Sequence, residues 1–260
     1  MTVNKTKKLF IFSDVHSYYD ELMSALDDAG FDIDDHDHII VSLGDLCDRG
    51  PKSREVLSFI NSIPEERKLC VIGNHEILME LMIRRGRPDA VDTYNGVVST
   101  AIDITEEGEG IEDLKHNKYW NEYKKSWHWY FEVGNYIFVH GWIPCFHKTE
   151  YYSYDPDWRN SDVEGFYDSI WVNGMELWSK GIREPGKTVI CGHINTSWGH
   201  CHLHHDGIEY PDENRPELKA RFDPFIDDGI IALDASTPYS GKVNVYVLEL
   251  EKDLISSVTE

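Results

Sequence analysis

Apolar and polar positions alternate in blocks along the first third of the chain, and each block predicts an element. Short apolar runs predict buried strands at 8–12, 38–43 and 68–72. Helical spacing of apolar residues predicts helices between them, at 18–29 and 53–63. Ser17 and Asp20 have the spacing of a capping box, so Ser17 is expected to cap the first helix. This β-α-β-α-β order predicts parallel strands with helices packed on them.

The later part of the chain has a weaker pattern. It predicts strands at 129–133, 136–139, 188–191, 230–233 and 243–250. Gly134-Asn135 separates two of them and indicates a hairpin. Val243, Val245 and Val247 alternate with polar or small positions, as in a half-exposed strand. Together with the first third, this predicts an α/β fold.

Two stretches between these strands are polar, charged and aromatic, without clear periodicity. We expect them to be cap-like insertions near 84–128 and 144–180. Their aromatic residues suit internal packing, with base-stacking platforms as the alternative. Because the candidate ligands described below run from Asp14 to His193, a cut between domains would split the site. We therefore expect residues 1–260 to form a single domain.

Composition narrows the class of protein. With 260 residues and 41% hydrophobic residues, the chain can bury a core without disulfides. Its five cysteines are scattered and form no CxxC pair, which argues against a disulfide framework and a cysteine zinc site. No secretory signal or bilayer-spanning run is visible, so a cytoplasmic protein without membrane partners is expected. The formal net charge of -22 disfavours nucleic-acid partners but still admits a small phosphate group.

The candidate chemistry lies directly after predicted strands. Three motifs follow the first three of them: Ser13-Asp14-Val15-His16, Gly44-Asp45-Leu46-Cys47-Asp48-Arg49-Gly50 and Gly73-Asn74-His75-Glu76. Two later strands deliver His140-Gly141 and Gly192-His193. Ligands in parallel sheets bind beyond the carboxyl ends of the strands, so these five segments are expected to converge.

The residue types in these segments suit two divalent ions about 4 Å apart. Asp45 is the natural bridge, because it is central in order and follows a strand. Asp14 and His16 stand two residues apart, point the same way in extended chain, and can share one ion with Asp45. The other ion would then be held by Asn74, His140 and His193. Mixed imidazole, carboxylate and amide ligands favour Mn, with Fe or Zn as the alternatives, over Mg and Ca.

Three further residues are candidate catalysts. Arg49 presents a planar fork of donors that suits phosphate oxygens, and Asn74 is a second candidate for substrate binding. His75 follows a ligand but faces elsewhere, so it can protonate the leaving oxygen. Asp48 can hold His75 in orientation and keep it cationic. A plain structural hydrogen bond between Asp48 and His75 is the alternative.

The five segments resemble the phosphoprotein phosphatase branch of the calcineurin-like metallophosphoesterases, whose pattern is GD-x-HG, GD-x-x-DRG, GNHE, HG and a late GH. Ser13 and Ser17 replace the usual glycines of the first motif. The late segment 230–241 resembles bacterial and phage members. The resemblance implies the same two-metal ligand set and the same acid pair. It also implies a two-sheet mixed β-sandwich flanked by helices, and a second phosphate-binding arginine among Arg84, Arg85, Arg159 and Arg183.

The expected function is hydrolysis of phosphate monoesters by hydroxide formed at the two ions, with phosphoserine or phosphothreonine in proteins as substrates. A dinucleoside polyphosphate such as diadenosine tetraphosphate, or inorganic polyphosphate, is the alternative, because both need the same motifs. A phosphodiesterase, and a binding module without activity, are less favoured. The cluster of His200, His202, His204 and His205 suits surface histidines better than a third metal site.

Overall fold

Four strands from the amino-terminal half of the chain and one from near its carboxyl end form a five-stranded sheet in a computed structural model that describes residues 6–106, 109–148, 151–215 and 217–255. Its strands are β1 (Thr6–Phe12), β2 (His38–Ser42), β3 (Lys68–Val71), β4 (Trp127–His128) and β12 (Tyr246–Glu251). The order is β12-β1-β2-β3-β4, with β1 to β4 parallel and β12 antiparallel to β1. The three predicted amino-terminal strands are confirmed to within two residues at each end.

A second sheet gathers strands from the carboxyl-terminal half. Its members are β5 (Phe131–Val133), β6 (Tyr136–Phe138), β9 (Thr188–Cys191), β10 (Phe225–Asp227) and β11 (Ile230–Ala232). The order is β10-β11-β9-β6-β5, with parallel pairs at its centre and antiparallel pairs at both edges. The predicted hairpin at Gly134-Asn135 joins β5 to β6. A separate hairpin pairs β7 (Cys145–Lys148) with β8 (Tyr151–Tyr154).

Helices cover the outer face of each sheet. The first sheet is flanked by α1 (Tyr19–Asp28), α2 (Ser53–Ser62), α3 (Asn74–Arg85), α4 (Ala90–Asn95), α5 (Val97–Ile104) and α6 (Lys118–Lys125). The remaining helices are α7 (Val163–Ser169), α8 (Gly174–Ser179), α9 (Thr196–His202), α10 (Thr237–Ser240) and α11 (Lys252–Ile255). None of the helices in the described ranges combines the length and the apolar character needed to cross a membrane.

The hydrophobic core shows how the two sheets stack. Leu9 and Ile11 of β1 pack with Phe138 and Ile190 of the second sheet, in one cluster between the sheets. Phe10 and Phe12 point the other way, into a cluster formed with the flanking helices. Strands that are buried on both faces have continuous apolar sequences, which is why β1 was readable from its sequence. The expected fold, two mixed sheets flanked by helices, is confirmed.

The stretch 84–128 contains regular structure that its weak periodicity did not reveal. Helices α5 and α6 pack against α2, and β4 adds a parallel strand to the edge of the first sheet. Trp120 and Tyr123 of α6 are completely buried and contact each other edge to face. These aromatic residues are therefore part of the core, as the packing interpretation predicted.

Two local predictions were wrong. Ser17 does not cap α1, because its hydroxyl bonds Ser53 Oγ at 2.7 Å while Tyr18 occupies the N-cap position without a side-chain cap. The strand predicted from Val243 begins only at Tyr246. The strand begins later than predicted because the side-chain amide of Asn244 donates to two backbone carbonyls outside the strand.

Candidate active site

The five motif segments meet at one edge of the sandwich. Asp14 follows β1, Asp45 follows β2, Asn74 opens α3 after β3, His140 follows β6 and His193 follows β9. All five strands are parallel members of their sheets, so their carboxyl ends deliver side chains to a common edge. The residues predicted to form the site are therefore brought together, and all of them are buried except the exposed Arg49 and the partly buried His193.

Asp45 occupies the centre of the group. Its Oδ2 atom lies 3.9 Å from His16 Nε2, 4.0 Å from His75 Nε2 and 3.5 Å from His140 Nε2. Its other oxygen, Oδ1, accepts the backbone N–H of His75 at 2.9 Å. One oxygen is thus held by the backbone and the other faces the imidazoles, as a bridging ligand requires.

The side chains form two groups of potential metal ligands, and Asp45 belongs to both. One contains His16, Asp45 and His75, and the other contains Asp45, His140 and His193. In each group the ligand atoms lie within 4.8 Å of one another. This arrangement is consistent with a dinuclear metal site. His75 lies in the first group although the sequence indicated a catalytic role for it.

Backbone carbonyls fix the orientation of the imidazoles. His16 donates from Nδ1 to the carbonyl of Cys47 at 3.0 Å, and His140 donates from Nδ1 to that of Leu43 at 2.7 Å. Each ring therefore directs Nε2 towards Asp45. Metal-binding histidines usually have such a partner on the second ring nitrogen, which sets the tautomer and the ring orientation. The donor set fits a pair of divalent ions.

Asn74 and Asp14 lie against the histidines of these two groups. Asn74 Oδ1 lies 2.9 Å from His140 Nε2 and 3.1 Å from His193 Nδ1. Asp14 Oδ1 lies 4.0 Å from His16 Nε2, and Asp14 Oδ2 accepts the backbone N–H of His193 at 2.9 Å. A Cβ on Gly192 would overlap Asp14 Oδ2, so this close approach requires glycine.

The route by which Asp14 and His16 reach the site differs from the expected one. Their φ angles are +53° and +49°, so the segment is left-handed and not extended. Nine described residues other than glycine have positive φ, and seven of them lie in these loops: Asp14, His16, Ser17, Asp45, Asp48, Arg49 and His193. Each such conformation costs on the order of 1–3 kcal/mol and persists only where surrounding contacts hold it.

Glu76 supplies several of those contacts. Its Oε2 accepts the backbone N–H groups of Asp45 and Gly73, both at 2.9 Å. Its Oε1 accepts the N–H of Leu46 and the hydroxyl of Tyr123, both at 3.1 Å. The sequence interpretation assigned Glu76 no role, although its N3 position in a helix that begins at Asn74 indicates a capping box. Glu76 thus joins the second and third motifs.

Buried negative charge dominates the electrostatics. Burial raises the pKa of Asp14, and it raises that of Asp234 well above its ordinary value. Burial would lower the pKa of His140, but the carboxylates of Asp45 and Asp14 outweigh it and raise that pKa to about 10. A buried pocket with several carboxylates favours cations, in agreement with the ligand geometry.

His75 and Asp48 form the expected pair. His75 donates from Nδ1 to Asp48 Oδ2 at 2.7 Å. Burial would lower the pKa of His75, but the carboxylates of Asp45 and Asp48 outweigh it and raise the pKa. The exposed Arg49 donates from Nη2 to His75 Nε2 at 3.0 Å. This contact places the guanidinium beside the nitrogen from which a proton would leave.

Asp48 is held in turn by Thr100, a residue that the sequence interpretation missed. Thr100 Oγ1 donates to Asp48 Oδ1 at 2.6 Å and accepts the backbone N–H of Asp48 at 2.9 Å. Ser53 Oγ donates to the same hydroxyl at 3.2 Å. Thr100 lies on α5, 52 residues along the chain from Asp48, and no local motif marks it. It is a positioning residue for the Asp48–His75 pair.

Replacing Thr100 with Val is expected to lower kcat by about tenfold while both metals stay bound. The isosteric change removes the hydroxyl that orients Asp48 and leaves a buried carboxylate oxygen unpaired. The check is kcat together with metal content after dialysis. Thr100→Ser keeps the hydroxyl and should restore most of the activity. If Thr100→Val retains full kcat, Thr100 does not position the pair.

Within the described residues, none of the four arginines suggested by the resemblance is seen in contact with these ligands. Arg85 and Arg159 pair with other carboxylates, and Arg183 lies over the ring of Trp178 at 4.2 Å. Arg84 is near the far end of α3, roughly 15 Å from Asn74 along the helix.

The histidines at 200–205 form no group with metal-ligand geometry among the described residues. His200 lies against the carbonyl of Asp223, while His202 and His204 pair with Glu209 and Asp227. His202 and His204 are largely exposed. The surface interpretation fits His202 and His204 better than a third metal site, but it is wrong for His200, which is buried.

Comparison with known proteins identifies the class. The family model of calcineurin-like phosphoesterases matches residues 7–224, which include all five motif segments. The chain therefore belongs to the calcineurin-like phosphoesterase family. A solved structure provisionally described as a diadenosine tetraphosphatase covers 95% of both chains with a TM-score of 0.51 and 15% identity, which supports the fold.

Curated relatives match the chain over shorter stretches. The asymmetrical bis(5'-nucleosyl)-tetraphosphatase PrpE of Bacillus velezensis is 32% identical over 103 residues, which cover 37% of this chain and 40% of the relative. A symmetrical bis(5'-nucleosyl)-tetraphosphatase of Buchnera aphidicola is 38% identical over 68 residues, which cover 26% and 23%. The chain thus spans less than half the length of these relatives.

Proposed function

We propose that the chain is a metal-dependent hydrolase of bis(5'-nucleosyl) tetraphosphates, which is the alternative that the motifs left open. The observation that carries the proposal is the pair of His/Asp groups sharing Asp45, with Arg49 and His75 beside them. The substrate class comes from the relatives, because two curated proteins that match this chain are bis(5'-nucleosyl)-tetraphosphatases.

The proposed ligands are Asp14, His16, Asp45, Asn74, His140 and His193, holding two ions of which Mn is the first candidate and Fe or Zn the alternatives. Such ions, when bound, would polarise the phosphoryl group and lower the pKa of water towards about 7. Asn74 also lies where it can contact the substrate. The cations and Arg49 offset the repulsion between a polyphosphate and a chain of net charge -22.

Each remaining residue has a task in hydrolysis of the P–O–P bond. Arg49 binds oxygens of the phosphoryl group under attack, for which its exposed planar fork is suited. His75 gives the proton on Nε2 to the departing phosphate oxygen, and Asp48 holds the ring through Nδ1. For this step Arg49 must move from Nε2 to the substrate, because a protonated His75 no longer accepts its N–H.

A substrate panel tests the proposal. After treatment with a chelator, the protein is assayed with Mn, Fe, Zn or Mg on diadenosine tetraphosphate, a phosphothreonine peptide, inorganic polyphosphate and bis-p-nitrophenyl phosphate. We expect the highest kcat/KM on diadenosine tetraphosphate, with AMP plus ATP or two ADP as products that chromatography separates. A higher kcat/KM on the peptide would restore the phosphoprotein interpretation. Absence of hydrolysis with every metal would leave a binding module.

A further inference from the structure

A cavity of about 440 Å³ opens beside the metal ligands, within the stretch 144–180. It lies between the β7–β8 hairpin, helix α7 and the segment that follows α7, and its walls include Cys145, His147, Tyr152, Asp168, Trp171 and Val172. The volume falls in the range of roughly 300–1,000 Å³ that is typical of small-molecule sites. None of the proposed catalytic residues lines it.

Trp171 connects this cavity to the metal ligands. Its ring lies edge-on to the ring of His193, with centroids 6.3 Å apart. The same segment is tied to the other ligand, because the N–H of Trp142, two residues after His140, donates to the carbonyl of Ser169 at 3.0 Å. The cavity wall is therefore fixed relative to both histidines of one metal group.

The walls suit a flat aromatic ligand better than an anion. The side chain of Trp171 is 40% exposed, large for tryptophan in a folded chain. On another part of the wall, the rings of His147 and Tyr152 stack with centroids 4.4 Å apart and planes 7° apart. No lysine or arginine stands among the described lining residues, whereas the exposed Asp168 offers a carboxylate. A carboxylate accepts hydrogen bonds from an exocyclic amine and repels phosphate.

We propose that this cavity binds the base of one nucleoside of the substrate, with Trp171 as the principal stacking surface and Asp168 as acceptor for an exocyclic amine. The inference rests on the proposed function, since it assigns one end of a dinucleoside polyphosphate to the cavity and places the phosphates at His140 and His193. It also assigns a function to the stretch 144–180, in which some aromatic residues are buried in the core and others are exposed. Trp158 is fully buried, whereas Tyr152 lines the cavity.

The test separates base recognition from the chemistry of the metal site. Trp171→Ala, Trp171→Phe and Tyr152→Ala are assayed with Mn on diadenosine tetraphosphate and on inorganic tripolyphosphate, which has no base. Stacking of one base contributes enough that kcat/KM on diadenosine tetraphosphate should fall about 10- to 100-fold in Trp171→Ala. Trp171→Phe should recover part of the loss. Tyr152→Ala should show a smaller loss on the same substrate.

Activity on tripolyphosphate should be unchanged in Tyr152→Ala, which does not contact a metal ligand. Tyr94→Ala serves as the matched control, because Tyr94 is 90% exposed on α4 and does not line the cavity. Binding of AMP, measured by calorimetry on the same preparations, should weaken in Trp171→Ala and Tyr152→Ala and stay constant in Tyr94→Ala.

The outcomes distinguish the two proposals. If wild type hydrolyses diadenosine tetraphosphate while both cavity variants keep wild-type kcat/KM and AMP affinity, the base site is wrong and the proposed function stands. Equal losses on both substrates in both variants also overturn the base site. If wild type hydrolyses tripolyphosphate but not diadenosine tetraphosphate, the proposed function fails, and AMP binding alone then decides whether the cavity binds a base.

Discussion

Replacing Asp45 with Asn is expected to abolish tight metal binding at both groups and to lower kcat/KM by more than about 100-fold. Loss of a residue that only orients a ligand already costs roughly 10- to 100-fold in metal affinity or activity. The effect at Asp45 should be larger than this, because its Oδ2 faces three imidazoles and Asp45 belongs to both groups of potential ligands. Metal content by emission spectrometry and kcat/KM on the same sample measure the effect.

The control for this variant is Asp20→Asn, which removes a carboxylate that is 68% exposed and pairs with Lys52. It should keep two equivalents of metal and full activity. Asparagine at 45 retains the Oδ1 acceptor for the backbone N–H of His75, so the thermal midpoint of the metal-free protein should change little. Retention of two equivalents of metal in Asp45→Asn would show that Asp45 is not the bridge.

Replacing His75 with Ala is expected to lower kcat by roughly 10²–10⁴ on substrates with a strongly basic leaving group, because the general acid is lost. An alkyl phosphate has such a leaving group, whereas p-nitrophenolate departs without protonation. The loss should therefore be much smaller on p-nitrophenyl phosphate. Steady-state kcat on both esters with Mn checks this expectation, and wild-type metal content must accompany it.

The metal content decides between two roles for His75. As a proton donor held by Asp48, it can be removed without losing an ion. As a ligand grouped with His16 and Asp45, its removal would release about one equivalent. His202→Ala is the matched control, since His202 is 48% exposed and paired with Glu209. Equal losses of kcat on both esters, with both ions retained, would remove proton donation from the mechanism.

Residues near one another in the chain made much of this site predictable. Asp14, Asp45 and His193 each follow a short apolar strand by two or three residues, and parallel strands bring their carboxyl ends to one edge. The ligand types and the arginine beside them were therefore readable from one sequence. The same locality explains the confirmed strands and the hairpin at Gly134-Asn135.

The prediction of substrate class was weaker, because the motifs describe how phosphate is held and not what is attached to it. The phosphoprotein interpretation rested on Arg49 and the Asp48–His75 pair beside a complete ligand set. The substrate-facing surface proposed here comes from the stretch 144–180, whose irregular sequence gave no element that could be aligned with the site. In the folded chain, Trp171 lies edge-on to His193 and lines the cavity together with His147 and Tyr152.

The sequence by itself determined the order of the ligand-bearing strands and the residue types of the metal groups, because apolar periodicity and strand-end residues act locally. The two-sheet fold was implied by the family resemblance and not by this periodicity. The tertiary structure decided how those groups are held. Thr100 reaches Asp48 across 52 residues and Tyr123 reaches Glu76 across 47, and hydroxyls at such separations leave no periodic signal in the chain. The left-handed backbone at Asp14 and His16 is likewise held by tertiary contacts, since their N–H groups donate to the carbonyls of Gly44 and Asp45 in the second motif.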